Sequence, residues 1–189
     1  MVRIWSSVLL ICAASLQPIA QANDMDVSAA WKRHEIEFVY MGFTTRYSCE
    51  GLRDKMKLLL RTVGARPGFE VATRSCAGPP GHVDSFPHVR MVFEAPEIPA
   101  AGRRDVGDPA VARWRPVALS RHQPRELESG DCELVEQFRG RVLTAFVTRR
   151  LEGDINCIPH QLAASTFNLR FEVLEGLPVA AADAAAHRR

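Results

Sequence analysis

The chain has 189 residues, a formal net charge of +2, 47% hydrophobic content and 24% charged content. That composition excludes collagenous, coiled-coil and wholly disordered chains, and leaves one sizeable core or two small ones. The near balance of charge argues against a nucleic-acid binder, which needs a basic face for its phosphate footprint.

Residues 1–22 read as a secretory signal peptide. Arg3 gives the positive start, Ile4 to Leu16 the apolar stretch, and Ala20-Gln21-Ala22 the small-x-small cleavage site. The apolar stretch is too short to cross about 30 Å of hydrocarbon, and Cys12 lies inside it, which argues against a lipoprotein anchor. Cleavage after Ala22 leaves 189 − 22 = 167 residues with a charge of 23 − 22 = +1. Four cysteines remain, Cys49, Cys76, Cys132 and Cys157; an even count in an oxidising compartment reads as two disulfides. No other stretch reaches transmembrane length, so the mature chain is expected to carry no transmembrane segment. The 21 arginines against 3 lysines, with many alanines, suggest the codon usage of a GC-rich bacterial genome and hence a periplasmic or secreted protein.

In chain order, Ile36, Phe38 and Tyr40 alternate with Glu35 and Glu37, which predicts a half-buried strand. Leu52, Met56, Leu59, Leu60 and Val63 recur at helical spacing, and Gly64 and Pro67 end that helix. Phe69-Glu70-Val71 opens a second strand running to Cys76, and Val89, Met91 and Phe93 alternate along a third. Val117 to Leu119 is the next strand. A second helix is predicted over Leu134, Val135, Phe138, Val142, Ala145 and Phe146. Asp131, Glu133 and Glu136 suit its N-terminus, and Arg149 and Arg150 its C-terminus. Leu151 to Ile155 is a poor strand because of Gly153 and Asp154; Phe167 to Val173 is a good one.

Spacing suggests an internal duplication. Trp31 precedes Cys49 by 18 residues and Trp114 precedes Cys132 by the same 18; second cysteines follow after 27 and 25 residues. The expected fold is α+β: two tandem β-α-β-β repeats with helices on antiparallel or mixed sheet. The boundaries are a first repeat at 23–96, a linker rich in Pro, Gly and Ala at 97–112, a second repeat at 113–177, and a disordered alanine-rich tail at 178–189. Four cysteines allow three connectivities. A helix from Glu50 to Val63 rises about 21 Å and a seven-residue strand returns about 23 Å. That geometry brings Cys76 back to Cys49, and by analogy Cys157 to Cys132.

Three segments resemble a family of small exported proteobacterial proteins. They are Phe43-Thr44-Thr45-Arg46-Tyr47-Ser48-Cys49-Glu50-Gly51-Leu52, Asp131-Cys132-Glu133-Leu134-Val135-Glu136-Gln137 and Cys157-Ile158-Pro159-His160. The resemblance implies export, bacterial origin and the placement of the cysteines. It carries no activity.

Cys49 and Cys132 each start a helix, where amides and the helix dipole lower a thiol pKa. A C-x-x-C pair is missing, so both read as structural half-cystines. Cys157-x-x-His160 has a zinc-like spacing but lacks a second pair, and His82 and His88 read as solvated loop residues. There is no G-x-S-x-G, H-E-x-x-H or P-loop pattern, and Ser129 and Ser165 have no recognisable catalytic partner. Arg113, Arg115, Arg121 and Arg125 could line an anionic surface, but Glu126 and Glu128 follow, so a mixed solvated face is expected. Trp31 and Trp114, at matched positions, are expected in the core. The sequence therefore predicts no catalytic, cofactor-binding or metal-binding residues and no cofactor. It points to a non-catalytic binding or envelope-associated protein with an unidentified protein or small-molecule partner and no nucleic acid. The alternative is a thiol–disulfide oxidoreductase or an unrecognised hydrolase.

Overall fold

The computed structural model describes residues 26–76, 79, 81–100 and 107–177. The expected signal peptide and the expected tail lie outside the described residues. The elements are β1 (Val27–Val39), α1 (Cys49–Thr62), β2 (Glu70–Arg74), β3 (His88–Glu97), β4 (Pro109–Ser120), α2 (Cys132–Arg141), β5 (Thr148–Asn156) and β6 (Thr166–Gly176). Single 3-10 turns, Ser129–Asp131 and Leu143–Ala145, flank α2.

The strands form one six-stranded sheet in the order β2-β3-β1-β4-β6-β5. Every pairing is antiparallel. Residues directly opposite in such a ladder share a face. Phe38 opposes Val89, Ile36 opposes Met91, and Met91 opposes Val71. Across the other half, Val117 opposes Phe171 and Leu119 opposes Leu169. These apolar faces join the inner faces of both helices in one core cluster. From α1 it takes Leu52, Met56, Leu59 and Leu60; from α2 it takes Leu134, Val135 and Phe138. Truncating one of these to alanine should cost about 2–5 kcal/mol, because the close-packed surroundings cannot refill the hole.

α1 begins where the alternating pattern gives way to the 3.6-residue one. Ser48 caps it, its hydroxyl accepting the Gly51 N–H at 3.0 Å. Gly64 follows the helix at φ +82°, a left-handed turn that an L side chain would strain.

Two expectations need correction. The linker drawn at 97–112 is shorter, because β4 begins at Pro109 and its first four residues pair with Val27–Ala30. Proline is tolerated as the first residue of a strand, and Ala112 seats with Ala29 and Leu174 in a small satellite cluster. The second helix ends at Arg141: Phe146 is extended, its ring stacked on Phe93 at 5.2 Å. Arg149 and Arg150 therefore lie in β5, not at a helix terminus. The doubtful strand over Leu151 to Ile155 is real. Gly153 has φ +101° with the Asn168 carbonyl where a Cβ would go, and a register shift lies between Arg149 and Glu152. The glycine that weakens the strand signal is what lets β5 pass its neighbour so closely.

β1 and β4 are paired only over Val27–Ala30 and Pro109–Ala112, then run on in opposite directions. The two three-stranded halves share one core and one short seam.

Candidate functional site

The structure joins Cys49 to Cys76 and Cys132 to Cys157, with Cα separations of 6.2 and 5.6 Å. Cys49 and Cys132 are buried at the starts of α1 and α2, as half-cystines and not free thiols. The Cys157 sulfur is thereby engaged. His160 instead presents an edge-on contact to Phe43 at 6.1 Å. Among the described residues no group of three or more His, Cys, Asp or Glu side chains is placed to hold a metal ion. His88 lies within ion-pair distance of Glu37, and Ser165 bonds locally to Ile158 and Gln161.

The four arginines singled out in the second half do not form a row. Arg113 pairs with Asp26 at 2.8 Å. Arg115 turns toward the helices, bonding Glu175 at 2.6 Å and the Thr62 carbonyl at 2.8 Å. Arg121 and Arg125 lie past the end of β4 in an exposed turn.

Trp31 and Trp114 are not core residues. Each is half-buried and lies beneath an arginine: Arg66 at 5.0 Å from the Trp31 ring and Arg149 at 4.2 Å from the Trp114 ring. Each arginine also pairs with a glutamate of the neighbouring strand, Glu94 and Glu172 respectively. The indole face and the carboxylate together hold a guanidinium that water would otherwise solvate.

The densest polar construction is at the β1–α1 loop, residues 40–48. Two side chains of α2 hold its backbone from across the fold, and Asp131 holds its Tyr47 hydroxyl. Glu133 Oε2 accepts the N–H groups of Phe43 and Thr44, each at 2.9 Å. Gln137 exchanges two hydrogen bonds with the backbone of Met41, at 2.8 and 3.1 Å. Asp131 accepts the Tyr47 hydroxyl in a short contact, Lys55 Nζ at 2.7 Å and the Glu128 N–H at 2.7 Å. Thr44 Oγ1 receives the His160 N–H at 3.0 Å, which ties in the β5–β6 loop. Asp131 and Glu133 are 2% and 6% exposed, so these donors stand in for the water that their oxygens lose on burial.

Tyr40 and Tyr47 meet edge to face at 5.0 Å inside this network. Tyr40 donates to the Thr45 carbonyl at 2.9 Å. Both phenols are held above their ordinary pKa. Burial is the main cause, followed by the charge of Glu133 beside Tyr40 and of Asp131 beside Tyr47.

The loop so anchored displays apolar side chains to solvent. Phe43 is 64% exposed and Met41 48%; Phe86 (62%) and Val83 (49%) lie in the adjoining segment. That segment is joined to the loop by the Ser48–Val83 bridge and by the Asp84 N–H to the Tyr47 carbonyl. Leu162 is 49% exposed on the β5–β6 loop. The side chains of Glu133 and Gln137 hold the loop backbone in the conformation that presents Phe43 and Met41.

The sequence alone does not reveal the network. Asp131 and Glu133 stand there as favourable charges at a helix start, and their burial emerges only when the loop from the other half covers them. No helix among the described residues is long and apolar enough to cross a membrane. No family model, curated protein or solved structure matches this chain.

Proposed function

We propose an exported, non-catalytic binding protein of a bacterial envelope, which engages a protein partner through the apolar tip of the 40–48 loop. The observation that carries this is the pairing of a rigid backbone with exposed Phe43 and Met41. Pre-ordered loops lose little entropy on binding, and aromatic side chains supply most interface energy. The two disulfides support an oxidising compartment, and the resemblance to small exported proteobacterial proteins points the same way.

The reading includes a tandem β-α-β-β duplication. Trp31, Cys49 and Arg66 recur as Trp114, Cys132 and Arg149, each offset by 83 (114 − 31, 132 − 49, 149 − 66). Trp31 opposes Pro96 with Glu94 two residues earlier in β3, and Trp114 opposes Leu174 with Glu172 two residues earlier in β6. Agreement in spacing, register and contact together favours descent from one repeat over coincidence.

A photo-reactive amino acid at position 43, set against one at exposed Leu151, tests the loop. A discrete cross-linked protein from position 43 alone is expected. No adduct, or the same adducts from both positions, would refute the loop reading. Intact mass should place the mature start at Asn23; recovery with residues 1–22 retained would refute export. Native protein should offer no titratable thiol, whereas two accessible low-pKa thiols would favour the oxidoreductase alternative.

A further inference from the structure

The sheet face turned away from the core carries a hollow of about 390 Å³ on its first half. Arg33 of β1, Val92 and Glu94 of β3, Glu70 of β2, and Arg66 and Phe69 of the α1–β2 connection line it. It draws on β1, β2 and β3 and shares no residue with the 40–48 loop.

The charges in this hollow are unevenly satisfied. Arg33 stands directly opposite Glu94 in the β1–β3 ladder, where a cross-strand ion pair would be expected. Arg66 has taken that carboxylate instead, at 2.6 Å, while also lying over Trp31. Among the described residues the Arg33 side chain has no ion-pair or hydrogen-bond partner, and neither has that of Glu70. One uncompensated cation and one uncompensated carboxylate thus border the same hollow. Their strands, β1 and β2, are separated by β3.

Glu70 opposes Val92, two residues from Glu94, so two strand spacings of about 4.8 Å and an offset of about 6.7 Å along the strands put the two backbones about 12 Å apart. With the two side chains rising in parallel, subtracting an ionic contact of about 2.8 Å at each end leaves roughly 6 Å between the charged ends of a ligand. We propose that this hollow binds a small zwitterion of dipeptide size, its carboxylate on Arg33 and its ammonium on Glu70. Val92 supplies an apolar floor and Phe69 an apolar wall for the atoms between the charges. The matching hollow of the second half, about 350 Å³, has Pro116 opposite Glu172 where the first half has Arg33 opposite Glu94. It holds cations of its own, Arg150, which pairs with Glu172, and Arg170, which stands opposite Glu152.

The test is an amide chemical-shift titration of the oxidised full-length mature protein with glycylglycine. Acetate and methylammonium serve as probes that satisfy one end each. Saturable shifts are expected at the amides of Gly68, Phe69, Glu70 and Val92. Arg33→Gln and Glu70→Gln should each weaken binding about tenfold, the scale of removing one charge-assisted hydrogen bond. Both side chains are exposed, so the melting temperature of each variant should move by no more than about 2 °C. Absence of saturation, shifts that persist in the double variant, or acetate binding as well as glycylglycine would each overturn the assignment.

Discussion

The guanidinium of Arg149 lies 4.2 Å from the centroid of the Trp114 ring while pairing with Glu172. Arg66 treats Trp31 and Glu94 in the same way at 5.0 Å. In each half the arginine comes from the segment leading into or starting the outer strand, and it covers an indole that a flat sheet would expose. Arg149→Ala should therefore cost about 1 kcal/mol, the sum expected of a half-exposed cation–π contact and its ion pair. Urea denaturation measures this, and tryptophan emission of the native variant should shift to the red. Arg149→Lys should recover only part of the stability, since a lysine cannot stack and pair in one plane.

Tyr40 and Tyr47 are the only two tyrosines of the chain, so phenol absorbance reports on the loop network alone. Both have pKa values raised on folding. An unfolded tyrosine ionises near pH 10, so above that pH the unfolded state binds fewer protons than the native state. Stability is then fully present below about pH 10 and falls as pH rises beyond it. Phenolate absorbance should appear late and in step with loss of the far-ultraviolet signal. A phenol ionising near pH 10 in a folded protein would contradict the network.

Glu133 accepts two backbone N–H groups of the loop with one oxygen. Glu133→Ala should cost about 2 kcal/mol, because two part-buried backbone donors lose their carboxylate acceptor. Glu133→Gln retains a carbonyl acceptor and should cost about half as much. Hydrogen exchange at the Phe43 and Thr44 amides should rise in the alanine variant before global stability is exhausted.

His34 stacks on Phe93 at 5.3 Å. Its pKa is lowered, first by burial and then by the charge of Lys32, against an opposing pull from Glu97. Below about pH 6.5 the unfolded state takes up a proton that the folded state resists. This residue therefore lowers stability as pH falls through that window, and His34→Gln should flatten the slope in a series of denaturation midpoints.

Each disulfide closes a loop, of 27 and 25 residues respectively. Breaking either by paired Cys→Ser substitution should cost about 3–4 kcal/mol through the freed entropy of the unfolded chain. Peptide mapping without reduction should yield Cys49–Cys76 and Cys132–Cys157 and no peptide linking the two halves.

The sequence alone determined what is local. Alternation placed β1 around Phe38 and β3 around Met91, and the 3.6-residue period placed α1, because each pattern follows directly from backbone geometry. The Cys49–Cys76 pairing was legible too, since a helix and a returning strand of known rise bring their ends together, and Cys132–Cys157 followed from it by analogy. What the sequence could not hold was anything set by the meeting of distant segments. Trp31 and Trp114 look like core residues until Arg66 and Arg149, 35 positions along in each case (66 − 31 and 149 − 114), are found above them. Asp131 and Glu133 look like solvated helix-start charges until residues 40–48 of the other half close over them. Gly153 looks like a strand breaker until β6 approaches it. In each case burial and partner are properties of the assembled sheet, and a periodic pattern along one segment carries no information about which surface arrives to cover it.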